Sequence, residues 1–315
     1  MVHELDPGQA TAVSVPASSA NVGPGFDCFG LALDWREYIE LEVTETGYAV
    51  EVSGEGADLI PRDESHLVLS SVLLGLADLG VQAPGLRLRA HNTLPHGRGL
   101  GSSSAAIVAG LLAARGLAGT EPDPRWMLRH ANAIEGHPDN VAAAIYGGFV
   151  LAYDGGAGVA VARARVLPEI TGWLFVAAAS VETTAARRLL PDSVPHVDAA
   201  ANSSRAALLV HALSEEPELL VEATRDWLHQ GYRGSAMPRS YDLLLELRGR
   251  GLAAVISGAG PSVLVLGVGD ELTALADLDV RGFTGRPVRV GGAGRIEPES
   301  TPIVSAPTDV TRASD

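Results

Sequence analysis

Residues 94–106 read Leu-Pro-His-Gly-Arg-Gly-Leu-Gly-Ser-Ser-Ser-Ala-Ala, and no other stretch restricts the fold as strongly. Glycines alternate at 97, 99 and 101, and three serines follow where an Ala-rich helical pattern begins, predicted over Ser102–Leu117. Alternating glycines let backbone N–H groups turn inward without Cβ obstruction. The first helical turn adds unpaired N–H donors and the positive end of the helix dipole. Serine hydroxyls there can cap the helix, bind a phosphate oxygen or ligate a hard cation. The pattern predicts a nest for a polyphosphate. The plainer alternative is a Gly-rich turn with a serine N-cap. Arg98, inside the loop, reads as a charge contact to the ligand or as a solvated residue.

Better-known uses of such residues are excluded. A Walker A loop needs a lysine, and all 23 basic residues are arginine. The same absence removes a lysine Schiff base and a Ser-x-x-Lys nucleophile. The glycine spacing is not the dinucleotide fingerprint, and no ribose-binding acid ends a strand about 20 residues further on. A hydrolase using Ser102 or Ser103 with His137 and Asp139 lacks the Gly-x-Ser-x-Gly elbow. His137 and Asp139 also stand too close in sequence to act easily as base and orienter.

Charge narrows the partners further. The 38 acidic residues against 23 arginines give −15, which argues against nucleic acid and against an anionic membrane surface. No apolar run approaches the ~18 residues of a membrane span. Met1–Gly8 carries Glu4 and Asp6 and no basic n-region, so no secretory leader is expected. One cysteine, Cys28, cannot form an internal disulfide, which points to a reducing, cytoplasmic setting.

The 315 residues suggest two domains at about 150 each. Apolar alternation predicts strands at Ala12–Pro16, Gly85–Ala90 and Phe149–Tyr153, and a β-hairpin of Arg36–Val43 and Tyr48–Val52 around Thr46-Gly47. Helical spacing marks Ser65–Leu79, Pro122–Ala133 and Val141–Tyr146. Beyond the Gly-rich Asp154–Gly158, strands are expected near Val159–Arg163, Trp173–Ala178, Ala253–Ile256, Val263–Val268 and Arg286–Val290. Helices are expected near Thr184–Leu190, Asp198–Leu213, Pro217–Trp227, Ser240–Arg248 and Asp270–Leu278. Neither half shows regular βαβ alternation, so the class is α+β. The expected units are residues 1–155 and 156–296, with 297–315, rich in Ser, Thr and Pro, as a mobile tail.

Glu135-Gly-His-Pro-Asp-Asn140 packs three titratable groups and an amide at a helix–loop–helix junction. Asp139 or Asn140 could simply cap the following helix behind Pro138. Alternatively Glu135 is a Mg²⁺ ligand beside a nucleotide, and the other residues bind a small polar substrate.

Three segments together resemble the homoserine kinase family of the GHMP kinase superfamily. They are Val15-Pro-Ala-Ser-Ser-Ala-Asn-Val-Gly-Pro-Gly-Phe-Asp27, the loop Pro95–Ala105, and Ser257-Gly-Ala-Gly-Pro-Ser262. Glu135–Asn140, Ala186-Arg-Arg-Leu-Leu-Pro191 and Leu228-His-Gln-Gly-Tyr-Arg233 match as well. The resemblance covers roughly residues 11 to 295. It implies a two-domain GHMP kinase fold with the active site between the domains, and phosphorylation of the L-homoserine hydroxyl by ATP on the way to threonine. ATP would lie on Pro95, His96, Gly97, Arg98, Gly99, Leu100, Gly101, Ser102, Ser103, Ser104 and Ala105. Ser103 and Glu135 would hold Mg²⁺, with Ser102 the rival ligand. Asn21, Asp27, His137, Asp139, Asn140, Arg187 and Arg233 would surround the substrate. Asp27 and Asp139 suit an ammonium, and Arg187 and Arg233 suit a carboxylate. Ser257, Gly258 and Gly260 form the third motif, whose glycines let the backbone approach the cleft. The acceptor of the hydroxyl proton stays open between Asp139 and the phosphate itself. Gly231 stands where the family commonly has Pro, which loosens the Arg233 segment. No role is assigned to Asn202 or Arg205. Family members often dimerise, which leaves a homodimer open. Two rival readings are another small-molecule GHMP kinase and a catalytically silent nucleotide or amino-acid sensor on the same fold.

Overall fold

A computed structural model describes residues 3–298. The first half of the chain forms β1 (His3–Glu4), β2 (Ala10–Ala20), β3 (Phe29–Val43), β4 (Gly47–Gly54), α1 (Leu67–Asp78), β5 (Val81–Gln82) and β6 (Gly85–Asn92). It continues through α2 (Ser102–Leu117), α3 (Pro124–Glu135), α4 (Pro138–Tyr146), β7 (Phe149–Asp154) and β8 (Val159–Ala164). The second half forms β9 (Ile170–Ala177), α5 (Thr183–Arg187), α6 (His196–Ser214), α7 (Leu220–Ala223), α8 (Gln230–Arg233) and α9 (Pro238–Gly249). It ends with β10 (Ala253–Ile256), β11 (Val263–Val268), β12 (Phe283–Arg289) and β13 (Arg295–Glu297). Among the described residues no helix is long and apolar enough to cross a membrane.

Seven strands make the larger sheet, in the order β13-β2-β3-β6-β4, with β7 joining β3 and β8 joining β7. The smaller sheet is antiparallel, β10-β11-β9-β12. Helix α2 is the centre of the larger core, burying Ile107, Val108, Leu111 and Leu112. Its Gly110 brings it against α1, because a Cβ there would stand 2.5 Å from the Val68 carbonyl oxygen. Helix α9 lays Leu243, Leu244 and Leu247 on the smaller sheet, against Ile256, Val263 and Val265.

The expected hairpin is not formed. Residues 36–43 and 48–52 are strands, but β6 lies between them, antiparallel to β3 and parallel to β4. Charge explains the insertion. Glu42 of β3 faces Arg87 of β6, and Glu40 faces Arg89, which in turn faces Glu51 of β4. The guanidinium groups of Arg87 and Arg89 contact carboxylates on both sides. Direct pairing of β3 with β4 would bring Glu51 against the glutamates of β3 with no arginine between them, and like charges opposed across strands destabilise. The helix expected over 217–227 reduces to a 3-10 turn and the four residues of α7, and the 270–278 helix to a 3-10 turn at Thr273–Asp277.

Sheet membership changes after Ala164. Strand β8, placed beyond the expected boundary at 155, pairs with β7 along its whole length. Strand β13 returns to the first sheet through Arg295↔Ser14 and Glu297↔Ala12. The expected tail from 297 therefore starts with a strand residue, and its residues 299–315 lie outside the described residues.

Candidate active site

The glycine loop runs from the end of β6 into α2. Its entry is held by Glu37 of β3, whose buried carboxylate accepts the N–H groups of Thr93 (3.0 Å) and Leu94 (2.6 Å). Burial outweighs these bonds and raises the Glu37 pKa to about 7. Further on, four consecutive carbonyls are bonded outward. Gly97 O accepts Val181 N–H (3.1 Å), Arg98 O accepts Ser262 N–H (3.3 Å), and Leu100 O accepts Ser18 N–H (3.0 Å). Gly99 O accepts the Ser257 hydroxyl at 2.6 Å. The N–H groups of residues 97–101 meet no acceptor among the described residues. Carbonyls out and N–H groups free is the polarity of an anion nest.

Glycine is needed here for two reasons. Gly97, Gly99 and Gly101 have φ of +66°, +74° and +65°. A Cβ on Gly99 would also stand 2.1 Å from the Ser257 carbonyl oxygen, and one on Gly101 2.1 Å from Ser18 Oγ. Arg98 is half-buried and turned to backbone carbonyls. Its guanidinium donates to the carbonyls of His96 (2.6 Å), Ala177 (3.0 Å) and Ala178 (2.7 Å), fastening the loop to the end of β9.

Helices α2 and α3 bring hard oxygen donors to the loop. Glu135, at the end of α3, accepts the Ser103 hydroxyl at 2.8 Å on Oε2 and the Ser104 hydroxyl at 2.9 Å on Oε1. Ser102 lines the same cleft without touching Glu135. The junction after Glu135 does not use Asp139 or Asn140 as a cap. The N-cap of α4 is His137, Pro138 follows it, and Asp139 lies inside the first turn. Buried Asp139 accepts the Asn140 N–H at 2.7 Å through Oδ1, and Asn140 Oδ1 accepts the Ser18 hydroxyl at 2.8 Å. His137 Nδ1 stands 3.3 Å from Asp139 Oδ1, off the line of a regular hydrogen bond. Facing that carboxylate nevertheless raises the imidazole's pKa.

The 21–27 segment is held in a conformation rare for residues with side chains. Asn21, Val22 and Asp27 have φ of +65°, +43° and +54°. Their support is visible: Asn21 donates to the Gly258 carbonyl (2.8 Å) and accepts the Asp27 N–H (3.0 Å). Asp27 pairs with Arg187 of α5 at 2.6 Å. Arg233 of α8 is buried, and Phe26 carries the guanidinium groups of Arg187 and Arg233 at 5.3 and 5.1 Å from its ring centre. Burial, aided by the charge of Arg187, lowers the Arg233 pKa. Gly231 does not leave α8 loose, because Asp226 accepts three successive N–H groups at its start and Gln230 accepts the Ile256 N–H at 2.6 Å.

These elements enclose a cleft of about 120 Å³. Asn21, Asp27, Gly97, Gly99, Leu100, Gly101, Ser102, Ser103, Glu135, His137, Asp139, Asn140, Arg187, Arg233 and Gly258 all line it. Pro95, Arg98, Ser104, Ala105, Ser257 and Gly260 do not, and His96 opens onto a neighbouring cavity. Ser257 is fully buried, donating to Gly99 O, and a Cβ on Gly260 would stand 2.4 Å from Met237 Sδ. The third motif thus supports the loop from behind, and Gly258 alone of its three named residues reaches the cleft. The neighbouring cavity, about 330 Å³, shares Gly97, Ser102 and Ser103 with the cleft and has Ile39, Ile60, Pro61, His66, Val68 and Asn92 in its wall. Sequence reading missed this wall. It also missed Asn202, buried, which donates to the Pro24 carbonyl (2.8 Å) and accepts the Trp227 N–H (3.1 Å), joining the 21–27 segment to the α8 region.

Fold and loop define a GHMP kinase. The family profile for the GHMP kinases N terminal domain matches residues 66–148. The crystal structure of a homoserine kinase from Cytophaga hutchinsonii superposes with a TM-score of 0.81 at 26% identity, covering 91% of this chain and 97% of that one. A mevalonate diphosphate decarboxylase from Staphylococcus aureus shares the fold at 14% identity, with a TM-score of 0.67 and coverage of 92% and 98%. In sequence, the chain is 49% identical over 284 residues to the homoserine kinase of Cutibacterium acnes, covering 89% of this chain and 96% of that protein. It is 50% identical over 277 residues to the homoserine kinase of Streptomyces coelicolor, with 86% and 89% covered. The chain belongs to the homoserine kinase family.

The loop geometry carries a direct test. Gly99→Val must shift the loop off the Ser257 carbonyl and leave φ > 0, which a β-branched residue resists. Affinity for ATP, titrated with a fluorescent nucleotide analogue, is expected to fall by at least about tenfold, as one lost charged hydrogen bond to phosphate would already cause.

Proposed function

We propose that the chain transfers the γ-phosphoryl group of ATP to the side-chain hydroxyl of L-homoserine, giving O-phospho-L-homoserine and ADP. The observation that carries this reading is Arg233. Its guanidinium is buried at the cleft wall, no carboxylate of the described residues pairs with it, and its Nε has no acceptor. A buried cation needs an anionic partner. A substrate carboxylate bound between Arg233 and Arg187 meets that need, and Asp27 and Asp139 stand in the same cleft for an ammonium. An α-amino acid fits both charges; galactose and mevalonate do not.

The other end of the reaction belongs to the glycine nest, whose free N–H groups take the phosphates, while the apolar neighbouring cavity takes the adenine and ribose. Mg²⁺ is the metal this site would hold. Serine and carboxylate oxygens are hard donors, and no group of three or more His, Cys, Asp and Glu side chains forms a cage among the described residues. That fits an ion bound through one carboxylate, a hydroxyl and the substrate phosphates. Ser103 and Glu135 would hold it, and when bound it supplies charge neutralisation on the phosphate oxygens.

In the transfer, the homoserine oxygen forms the new bond to Pγ and the bond from Pγ to the β–γ bridging oxygen breaks. Most of the acceleration comes from positioning and from charge stabilisation by the loop N–H groups. Asp139 is engaged by Asn140 N–H and faces His137, so we assign the hydroxyl proton to the transferred phosphoryl oxygens, as a loose transition state permits. A reducing, cytoplasmic setting suits the free, half-buried Cys28.

Three outcomes test the proposal. ADP release should be fastest with L-homoserine when L-serine, mevalonate and galactose are assayed in parallel; equal rates with mevalonate or galactose would refute it, and no turnover with any of them would favour a sensor. Glu135→Gln should lower kcat by about 10²-fold and raise the Mg²⁺ needed for half-maximal rate, since metal charge is worth several kcal/mol in such transfers. Arg187→Ala should raise KM for homoserine by about ten- to a hundredfold, the cost of a charged hydrogen bond, with KM for ATP little changed. Arg188→Ala, about 100° around the helix, is the near-neutral control.

A further inference from the structure

Behind the substrate end of the cleft lies a buried group that the proposed chemistry does not use. His229 is fully buried in the turn before α8, and Asp226 fixes that turn by accepting the N–H groups of Leu228 (2.8 Å), His229 (3.1 Å) and Gln230 (2.7 Å). His229 Nε2 stands 2.8 Å from the Gly23 carbonyl oxygen. A carbonyl only accepts, so Nε2 carries the proton. Arg233, which can only donate, faces Nδ1, so Nδ1 is the acceptor of a neutral ring; burial lowers the imidazole's pKa in the same sense, against the pull of Asp226, whose Oδ2 lies 3.7 Å from Nε2. Arg233 Nη1 lies 3.4 Å from Nδ1 and donates to it. No other hydrogen-bond partner meets the Arg233 side chain among the described residues. The imidazole also stacks on Phe26, ring centres 5.5 Å apart, and Phe26 is the ring against which both guanidinium groups lie.

We infer that His229 is a positioning residue for substrate recognition: its Nδ1 aims the Arg233 guanidinium at the substrate carboxylate, and its Nε2–H ties the same ring to Gly23 in the segment that carries Asp27. The two ring nitrogens thus set the spacing between the cationic and anionic ends of the amino-acid site. The tautomer is imposed by the Gly23 carbonyl, so the geometry needs no second carboxylate beside Arg233, which leaves that guanidinium uncommitted until substrate arrives. The inference rests on the assignment of Arg233 to the substrate carboxylate.

The two ring nitrogens can be separated by substitution. His229→Gln keeps an N–H near the Nε2 position and offers Arg233 no acceptor at Nδ1. His229→Asn places an acceptor oxygen near Nδ1 and gives up the Gly23 bond. Steady-state kinetics of the full chain should show KM for L-homoserine raised about five- to tenfold in His229→Gln, the size of one modest hydrogen bond. KM for ATP should stay within about twofold, and His229→Asn should recover most of the loss in KM for homoserine. In a double-mutant cycle, His229→Gln should add nothing once Arg233 is Ala, because the two act through one contact. Additive effects, or equal rises in both KM values, would make His229 a merely structural residue and overturn the inference. An unchanged KM for homoserine in His229→Gln would do the same. If Arg233→Ala alone leaves KM for homoserine unchanged, the carboxylate assignment fails and this inference with it, an outcome read without touching His229. Should His229→Gln fail to fold, His229→Asn carries the cycle: a KM for homoserine near wild type supports the role of Nδ1, and a loss that persists when Arg233 is Ala refutes it.

Discussion

Everything in the cleft depends on the outward bonding of four consecutive carbonyls, those of Gly97, Arg98, Gly99 and Leu100. Their donors are Val181, Ser262, Ser257 and Ser18, three from the second half of the chain and one from the first. A peptide whose C=O is fixed on one side must present its N–H elsewhere, so these bonds orient the loop N–H groups as an anion nest. Arg98 strengthens the arrangement by gripping carbonyls at the end of β9. Because segments from both halves of the chain meet at this loop, it cannot loosen without breaking several bonds at once. Preorganised donors of this kind stabilise developing charge without reorganising during the reaction.

The same arrangement shows how an acidic, lysine-free chain handles a polyanion. At −15 the overall field repels phosphate. Attraction must then be local, and backbone N–H groups with a helix N-terminus provide it over a few ångströms. The two arginines that line the cleft follow the same economy. Arg187 is already paired with Asp27, whereas Arg233 meets only a neutral imidazole, so Arg233 is the cleft cation without a carboxylate bound to it among the described residues. That charge favours a carboxylate where desolvation makes the attraction strong.

Much of this was legible in the sequence because the loop chemistry is local. Alternating glycines ahead of serines encode positive φ and a helix start, and the helix over Ser102–Leu117 falls where its pattern predicts. Glu135 beside Ser103, and the gathering of Asp27, Asp139, Arg187 and Arg233, followed from family motifs rather than from spacing. Contacts between distant segments were not legible. Strand β6 enters between β3 and β4 because of charges on three strands, while the turn signal Thr46-Gly47 speaks only of neighbours. The grip of Arg98 on the carbonyls of Ala177 and Ala178 was not legible either, because nothing near it in sequence reveals them. Asn202 and His229 sit in ordinary helical or turn contexts, and only the fold shows their bonds to Pro24 and Gly23.

Glu37 fixes the entry of the glycine loop from a place where a carboxylate is costly to keep. It lies mid-strand in β3, in the row of Ile39, Leu41 and Val43, so alternation places it on the buried face, where a carboxylate is unusual. The fold buries it beside an apolar cavity and directs it at the backbone of Thr93 and Leu94. Its pKa of about 7, above the ordinary 4.5, means burial costs more than those bonds return. A group raised in this way binds protons more readily in the folded chain than in the unfolded one. Its ionised form is therefore a burden on stability above pH 7, and that burden is relieved as pH falls through 7 toward 4.5. A surface carboxylate would be cheaper to keep, but it could not reach the chain just ahead of the glycines. The carboxylate is thus retained where it fixes the entry of the loop, at the junction of the apolar cavity and the phosphate nest.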